Sequence, residues 1–402
     1  MATPRRARLQ TTGGGGTVTT LELFFDLVFV FALTQVTSLM ATETSPTGLI
    51  RGALILTILW WCWIGYTWLT NVVRADEGVI RVAMFVAMSI MFVAAITIPE
   101  AFDDLPGGLS GPVVFAACYF AFRLTHIAMF LLASRDDPAL RRQILRFFPS
   151  MLFGTVVLLI ASQTTGPLQT VLWFVAILGD YGGTVLSGTD WKLTSAGHFA
   201  ERYGLIIIVA LGESIVATGI GIANEPVSWP IIAASALALA VSAALWWSYF
   251  DVTALITERA FAAAEGVRRI VLARNGYTFL HLPMIIGIIM MSLGLKTVLG
   301  YVAGYDDHTL ADPIYGLPLV ALYGGAALFL AAHAWFTWVL AGEIKRERIA
   351  VVVVIVVLIP LVGGLPAIVT LAVLATVLVA MIGWETYRYA EQRHQIRHAG
   401  GH

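Results

Sequence analysis

The chain has 402 residues, 58% of them hydrophobic and 12% charged, with a net charge of -1 and a mean hydropathy of +0.84. Soluble domains carry about 25% charged residues, so a soluble globular domain is excluded. Apolar runs of about 20 residues recur without the alternation of barrel strands, which predicts an all-α polytopic membrane protein.

Residues 1–18 hold Arg5, Arg6, Arg8 and a glycine run at 13–16, and read as a disordered cytoplasmic tail. No A-x-A-like cleavage site follows the first apolar run, so that run is a helix and not a signal peptide. Twelve spans are predicted, at 19–40, 49–70, 79–99, 111–133, 144–163, 167–187, 200–221, 228–250, 273–297, 315–341, 347–362 and 364–387. Asp180, Gly182 and Gly183 interrupt the sixth. Residues 251–269 are partly polar and predict a short interfacial helix or loop. Residues 389–402 form a second cytoplasmic tail. Arg74, Arg81, Arg135, Lys192, Arg259, Arg268, Arg269, Lys345, Arg346 and Arg388 fall on one side of this arrangement, whereas the other side has acidic or neutral loops such as 100–104. With an even number of spans, this bias puts both termini inside, in the cytoplasmic membrane. Cys62 and Cys118 lie in apolar spans, so a disulfide framework is not expected. The basic residues follow topology, which leaves no nucleic-acid surface.

The first span is echoed by the seventh. Residues 21–36 read LELFFDLVFVFALTQV, and residues 200–214 read AERYGLIIIVALGES. Superposed, Leu27, Ala32 and Leu33 fall on Leu205, Ala210 and Leu211; Asp26 falls on Gly204 and Gln35 on Glu213. LWWCWIGYT at 59–67 matches LWWSYFDVT at 245–253, Arg81 matches His281, and Arg123 matches His333. The offset grows from 178 through 186 and 200 to 210, as loop insertions produce. Order is kept over four helices, which predicts two parallel six-helix repeats, 19–190 and 191–388, with a path between them. A duplication that built only a stable bundle is the plainer alternative.

Ionisable groups within membrane helices are costly and kept for function. Glu22 and Asp26 share a helix face; Glu22 also suits a helix start after Thr19 and Thr20. Glu213 lies about 18 Å into the seventh span. The expected path residues are Asp26, Gln35, Glu213 and Ser214, with Phe31 and Val209 narrowing it. The supporting polar residues are Glu22, Arg123, His126, His198, Glu201, Arg202, Asp251, His281 and His333. A structural pair of Arg123 with Asp26 or with Glu213 is an alternative reading of those charges. His198 and Glu201 are three apart, as in helical di-metal sites, but only one such pair exists, so no metal and no cofactor are expected. The tryptophans at 60, 61, 63, 68, 246 and 247 read by default as interfacial anchors.

At these residues the chain resembles the bacterial low temperature requirement protein A family, over roughly 17–390. The resemblance rests on LELFFDLVFVFA at 21–32, HFAERYGL and ALGES within 198–214, WW-x-YFD at 246–251, and Tyr277 with His281-Leu-Pro. The family name records a growth phenotype in the cold. FFDLVF-x-x-A-x-T at 24–34 is also similar to the F-S-D helix of the two-repeat potassium channels of endolysosomes and bacteria. That similarity implies six-helix repeats whose first helices line a pore. Phe25 stands where that motif has Ser, and Tyr203-Gly204 where its second copy has Ser-Asp.

The expected function is transport, as a cation channel or a proton-linked carrier, with a small cation or proton and the lipid bilayer as partners and a homo-oligomer as an open option. The alternative is a membrane-embedded enzyme or sensor for an apolar ligand, using His198, Glu201, Arg202 and Glu213. No nucleophile elbow, phosphate loop or metal-ligand motif accompanies that alternative.

Overall fold

The computed structural model describes residues 17–186, 188, 191–223 and 225–390; the predicted tails lie almost wholly outside them. Among the described residues the chain forms α1 (Thr20–Thr42), α2 (Pro46–Val72), α3 (Gly78–Ile96), α4 (Gly111–Ala133), α5 (Pro138–Ala161), α6 (Gly166–Leu186) and α7 (Ala196–Ile220). It continues through α8 (Trp229–Phe250), α9 (Thr253–Ala263), α10 (Gly266–Leu272), α11 (Leu280–Ala303), α12 (Gly316–Ala341), α13 (Arg346–Val362) and α14 (Ala367–Arg388). An isolated antiparallel bridge pairs Pro313 with Pro366.

Among the described residues ten helical stretches are long and apolar enough to cross a membrane, so this is an all-α multi-pass membrane protein in contact with the lipid bilayer. Each of the twelve predicted spans overlaps a helix. Two of those helices are not among the ten: α13, with 17 residues, and α6, which carries Asp180 in its second half. The polar 251–269 stretch makes the short α9 and α10.

Local signals set the helix ends. Asp137 caps α5 by accepting the N–H of Leu140 at 3.1 Å, and Pro138 follows at the first helical position, where no N–H is needed. That hydrogen bond holds the Asp137 carboxyl below the usual carboxylate range. Pro283 has no N–H to give to the carbonyl of Phe279, and the backbone turns wide, with π-type bonding, over Ala273–Phe279 just before it.

The chain packs as two units, one from residues up to Val36 with Ile50–Arg202, the other from Thr37–Leu49 with residues from Tyr203 on. The division runs through α1 and α7. In the first unit α3, α4, α5 and α6 pack in sequence order, and 78% of the apolar window of α2 is buried. Trp60, Trp61 and Trp63 are therefore core residues. The tryptophans at 60, 61, 63 and 68 do not form an interfacial belt, because α2 buries nearly its whole circumference. Trp60 stacks on Trp63 with ring centroids 5.0 Å apart, and Trp61 on Tyr181 at 3.9 Å. Trp246 and Trp247, by contrast, are exposed.

In the second unit the closest packing is between α11 and α12, where glycines let backbones touch. A Cβ on Gly287 would strike the Gly325 carbonyl and the Phe329 nitrogen, and one on Gly325 would strike the Gly287 carbonyl and the Met291 nitrogen. Small residues at such crossings are how membrane helices gain packing when lipid competes for their apolar surface. α8 and α14 flank this pair.

Candidate functional site: buried ion networks in the helices

The start of α1 carries the densest polar network. Thr19 and Glu22 form a capping box: Glu22 Oε2 accepts from the Thr19 N–H at 2.9 Å, and Thr19 Oγ1 accepts from the Glu22 N–H at 3.3 Å. This satisfies two end groups reciprocally. Ser195 repeats half of it at α7, its hydroxyl accepting from the His198 N–H at 3.2 Å. His198 Nε2 then lies 3.1 Å from Glu22 Oε1. Asn71 supports it from α2: its Nδ2 donates to the Ser195 carbonyl at 2.7 Å and lies 3.4 Å from His198 Nδ1. The Asn71 Oδ1 accepts from the Thr194 and Ser195 N–H groups.

One turn on, Arg202 holds Asp26 in a two-pronged pair, with distances of 2.7 and 2.9 Å. Its Nη1 also donates to the Glu22 carbonyl at 3.1 Å. Trp63 supplies a third donor to Asp26, its indole N–H, at 2.8 Å, and its ring faces the guanidinium, 5.2 Å from Cζ to centroid. Glu22, Asp26, His198 and Arg202 are all buried. Two acids four residues apart on one helix thus meet a histidine and an arginine four apart on another. Burying these charges is tolerable because each is paired and hydrogen-bonded.

Arg123 partners neither Asp26 nor Glu213, as the structural alternative had supposed. It is on α4 and pairs with Asp180 of α6 at 3.3 Å, a carboxylate that Tyr119 also hydrogen-bonds. The Phe147 ring lies 4.8 Å from the guanidinium. Asp180, read from sequence only as an interruption, is its counter-charge. The polar match to Arg123 in a helix that otherwise looks like a weak span was the signal available. His126 packs against Tyr66 and Phe130; glycine at position 65 makes room, since a Cβ there would come within 2.9 Å of the imidazole.

In the second unit the expected residues occupy a different network. His281 Nε2 is 2.8 Å from the Tyr249 hydroxyl. His333 Nδ1 is 2.5 Å from Arg348 Nη1, and Arg348 clamps Glu385 of α14 with distances of 2.7 and 2.8 Å. Lys345 reaches the same carboxylate at 3.4 Å. Neither Arg348 nor Glu385 was singled out from sequence, because both lie near predicted span ends, where charges are ordinary. Asp251 lines a cavity beside them.

The remaining path candidates are spread along α1 and α7. Glu213 is 1% exposed. Ser214 is buried and lies 2.8 Å from the Ser242 hydroxyl. Phe31, Gln35 and Val209 are half-buried, with the Phe31 ring 5.1 Å from that of Phe92. Glu201 is exposed and accepts from the Val18 N–H at 3.1 Å. Buried His198 turns to Glu22 instead, and Glu213 lies about 18 Å further along α7 than Glu201. The four residues of the enzyme alternative are therefore not gathered. Among the described residues no group of three or more His, Cys, Asp or Glu side chains is placed to hold a metal ion.

The model of the family described as "Bacterial low temperature requirement A protein (LtrA)" matches residues 17–383. The chain is 30% identical over 333 residues to an uncharacterized protein of Rhizobium meliloti, covering 78% of this chain and 75% of that one. No solved structure matches. The chain belongs to the low temperature requirement A family.

Proposed function

We propose that this low temperature requirement A family member is a transport protein of the cytoplasmic membrane and that it works as a proton-linked carrier. The observation that carries the reading is the burial of Glu213, 1% exposed, deep in a helix long and apolar enough to span the bilayer. A carboxylate at such depth is expensive as a bystander, and it suits a site that alternates between protonated and charged states. Asp26 plays another part. Three hydrogen bonds from Arg202 and Trp63 take up most of its acceptor capacity, so it anchors the network instead of meeting a passing ion. That favours a carrier with one titrating acid over an open cation channel lined by equivalent acids. His198 on Glu22 adds a buried imidazole–carboxylate pair beside Asp26.

In this reading α6 and α13 also span, giving twelve helices in two parallel repeats with both termini inside. The order of matched segments and the one-sided basic residues support it. So does burial: moved by the sequence offset, buried Phe25, Phe29, Ala32, Leu33 and Val36 of α1 fall on Tyr203, Ile207, Ala210, Leu211 and Ser214 of α7, all buried. In this proposal the titrating site on α7 is Glu213, with Ser214 and Val209 beside it on the same helix. The test is flux of a panel of monovalent cations into proteoliposomes under an imposed pH gradient. Wild type moves at least one of them in a gradient-dependent way, and Glu213→Gln does not. Equal flux in the two sinks the assignment.

A further inference from the structure

The second unit contains a cavity of about 350 Å³ at the end where α8, α12 and α14 finish and α13 begins. The transport reading does not use it. Its charged lining is mixed. Arg348 is committed to Glu385, His333 and the Ser248 carbonyl. Lys345 is not so committed: its ammonium meets one acceptor, Glu385 Oε2 at 3.4 Å, and lies 5.4 Å from the centre of the Tyr389 ring. An ammonium has three N–H donors, so most of its capacity faces the cavity. Burial, and Arg348 beside it, hold the Lys345 ammonium below the usual lysine range, with Glu385 and Asp251 opposing. An anionic group placed at the Lys345 ammonium would meet donors that Glu385 does not use.

An anion alone would nevertheless meet two further carboxylates in the same cavity, half-exposed Asp251 and exposed Glu343. A cation alone would meet Lys345 and Arg348. A ligand carrying both signs meets an attraction at each end. The helix ends follow the same division: the N-terminus of α13 favours the anion, and the C-termini of α8, α12 and α14 favour the cation. Trp247 and Ile344, exposed by 39% and 52%, give the mouth an apolar edge, the kind of surface found at a membrane interface.

We propose that this cavity binds a phosphoethanolamine group, with its phosphate on Lys345 and its primary ammonium between Asp251 and Glu343. The volume sits at the small end of ligand pockets, about 300–1,000 Å³, and suits a headgroup and not a whole lipid. The primary ammonium matters because it donates hydrogen bonds to carboxylates, which a choline cannot. The same group occurs at the head of a membrane lipid and free in solution.

Native mass spectrometry of the full chain released from detergent tests this, with short-chain phosphatidylethanolamine, phosphatidylcholine and phosphatidylglycerol supplied at equal concentration. Wild type is expected to retain phosphatidylethanolamine most tightly. Lys345→Gln and Glu343→Gln should each weaken retention about tenfold, the worth of one charge-assisted hydrogen bond. Glu343 is on the surface, so its variant reads binding and not folding. Free phosphoethanolamine that displaces the lipid at equal concentration makes the soluble compound the ligand; failure to displace it makes the lipid the ligand, and both support the site. Phosphatidylglycerol held as tightly as phosphatidylethanolamine, or retention unchanged in both variants, overturns it.

Discussion

The first unit seals its charges and the second leaves some of them open. In the first, Asp26 is closed off by Arg202 and Trp63, and Arg123 by Asp180 and Phe147, all with at most a few per cent exposure. In the second, Arg348 and Glu385 form an equally tight pair, but Lys345 beside them is 20% exposed and a cavity reaches all three. Under the proposed repeat, the matched positions account for the difference. Where α1 has Asp26, α7 has Gly204, and the Phe250 ring packs there, 3.3 Å from where a Cβ would sit. With no acid to serve, Tyr249, the match of Trp63, turns to His281 instead. Where α4 has Arg123, α12 has His333, and the guanidinium arises from α13 as Arg348. Under the proposed repeat, one pattern of polar positions gives a closed ion lock in one unit and charges that line a cavity in the other.

The largest expected effect lies in the closed lock. Arg202→Met leaves Asp26 and Glu22 buried without their guanidinium and should cost about 3–5 kcal/mol, read as a fall in thermal unfolding temperature of the detergent-solubilised protein. Adding Asp26→Leu to that variant should recover part of the loss, since a buried pair replaced whole by apolar groups is far less costly than half a pair. No recovery would mean that the two side chains do not act as a unit. In the second unit Lys345→Gln should shift unfolding less than Arg202→Met does, because its contact with Glu385 is long, 3.4 Å, and Arg348 still holds that carboxylate.

The glycine contact comes next. Gly325→Val forces a side chain against the α11 backbone and should cost about 1–3 kcal/mol; Gly364→Val, at a position with open space, should not. Trp63→Phe keeps a ring but removes a donor to a carboxylate, about 1.5–3 kcal/mol. Tyr249→Phe removes a neutral hydrogen bond, about 1 kcal/mol. The inequality between those two tests whether the acid makes the difference between the units. The Asp137 cap comes last. Asp137→Ala should cost about 1 kcal/mol. Because the folded carboxyl titrates below its unfolded value, its contribution is present above pH about 3.9. It is lost as pH falls through the lower folded value, so wild type and variant should converge in acid.

Much of this was legible in the sequence. Long apolar runs located a helix at each predicted span, because span length is dictated by bilayer thickness. The residues of the main network were visible too: Glu22, Asp26, His198 and Arg202 are charges or a histidine in runs that should have none. Their pairing was not visible. Arg123 and Asp26 looked like partners because both are anomalous, yet which guanidinium reaches which carboxylate depends on how helices rotate and cross. Side-chain direction settles that, and spacing along one helix does not. The tryptophans were misread for a related reason. Trp60 and Trp246 stand in nearly the same local sequence, and only packing on all sides of α2 distinguishes a core ring from an interfacial one. Glu385 and Arg348 were passed over because a charge near a span end needs no explanation until it is seen to be buried.

Proton entry into proteoliposomes that enclose a pH-sensitive dye, driven by an imposed membrane potential, tests the central claim most directly. The account predicts internal acidification by wild type, its loss in Glu213→Gln, and unchanged folding of that variant by thermal unfolding. Wild-type liposomes no more permeable to protons than empty ones, across the cation panel, would contradict it.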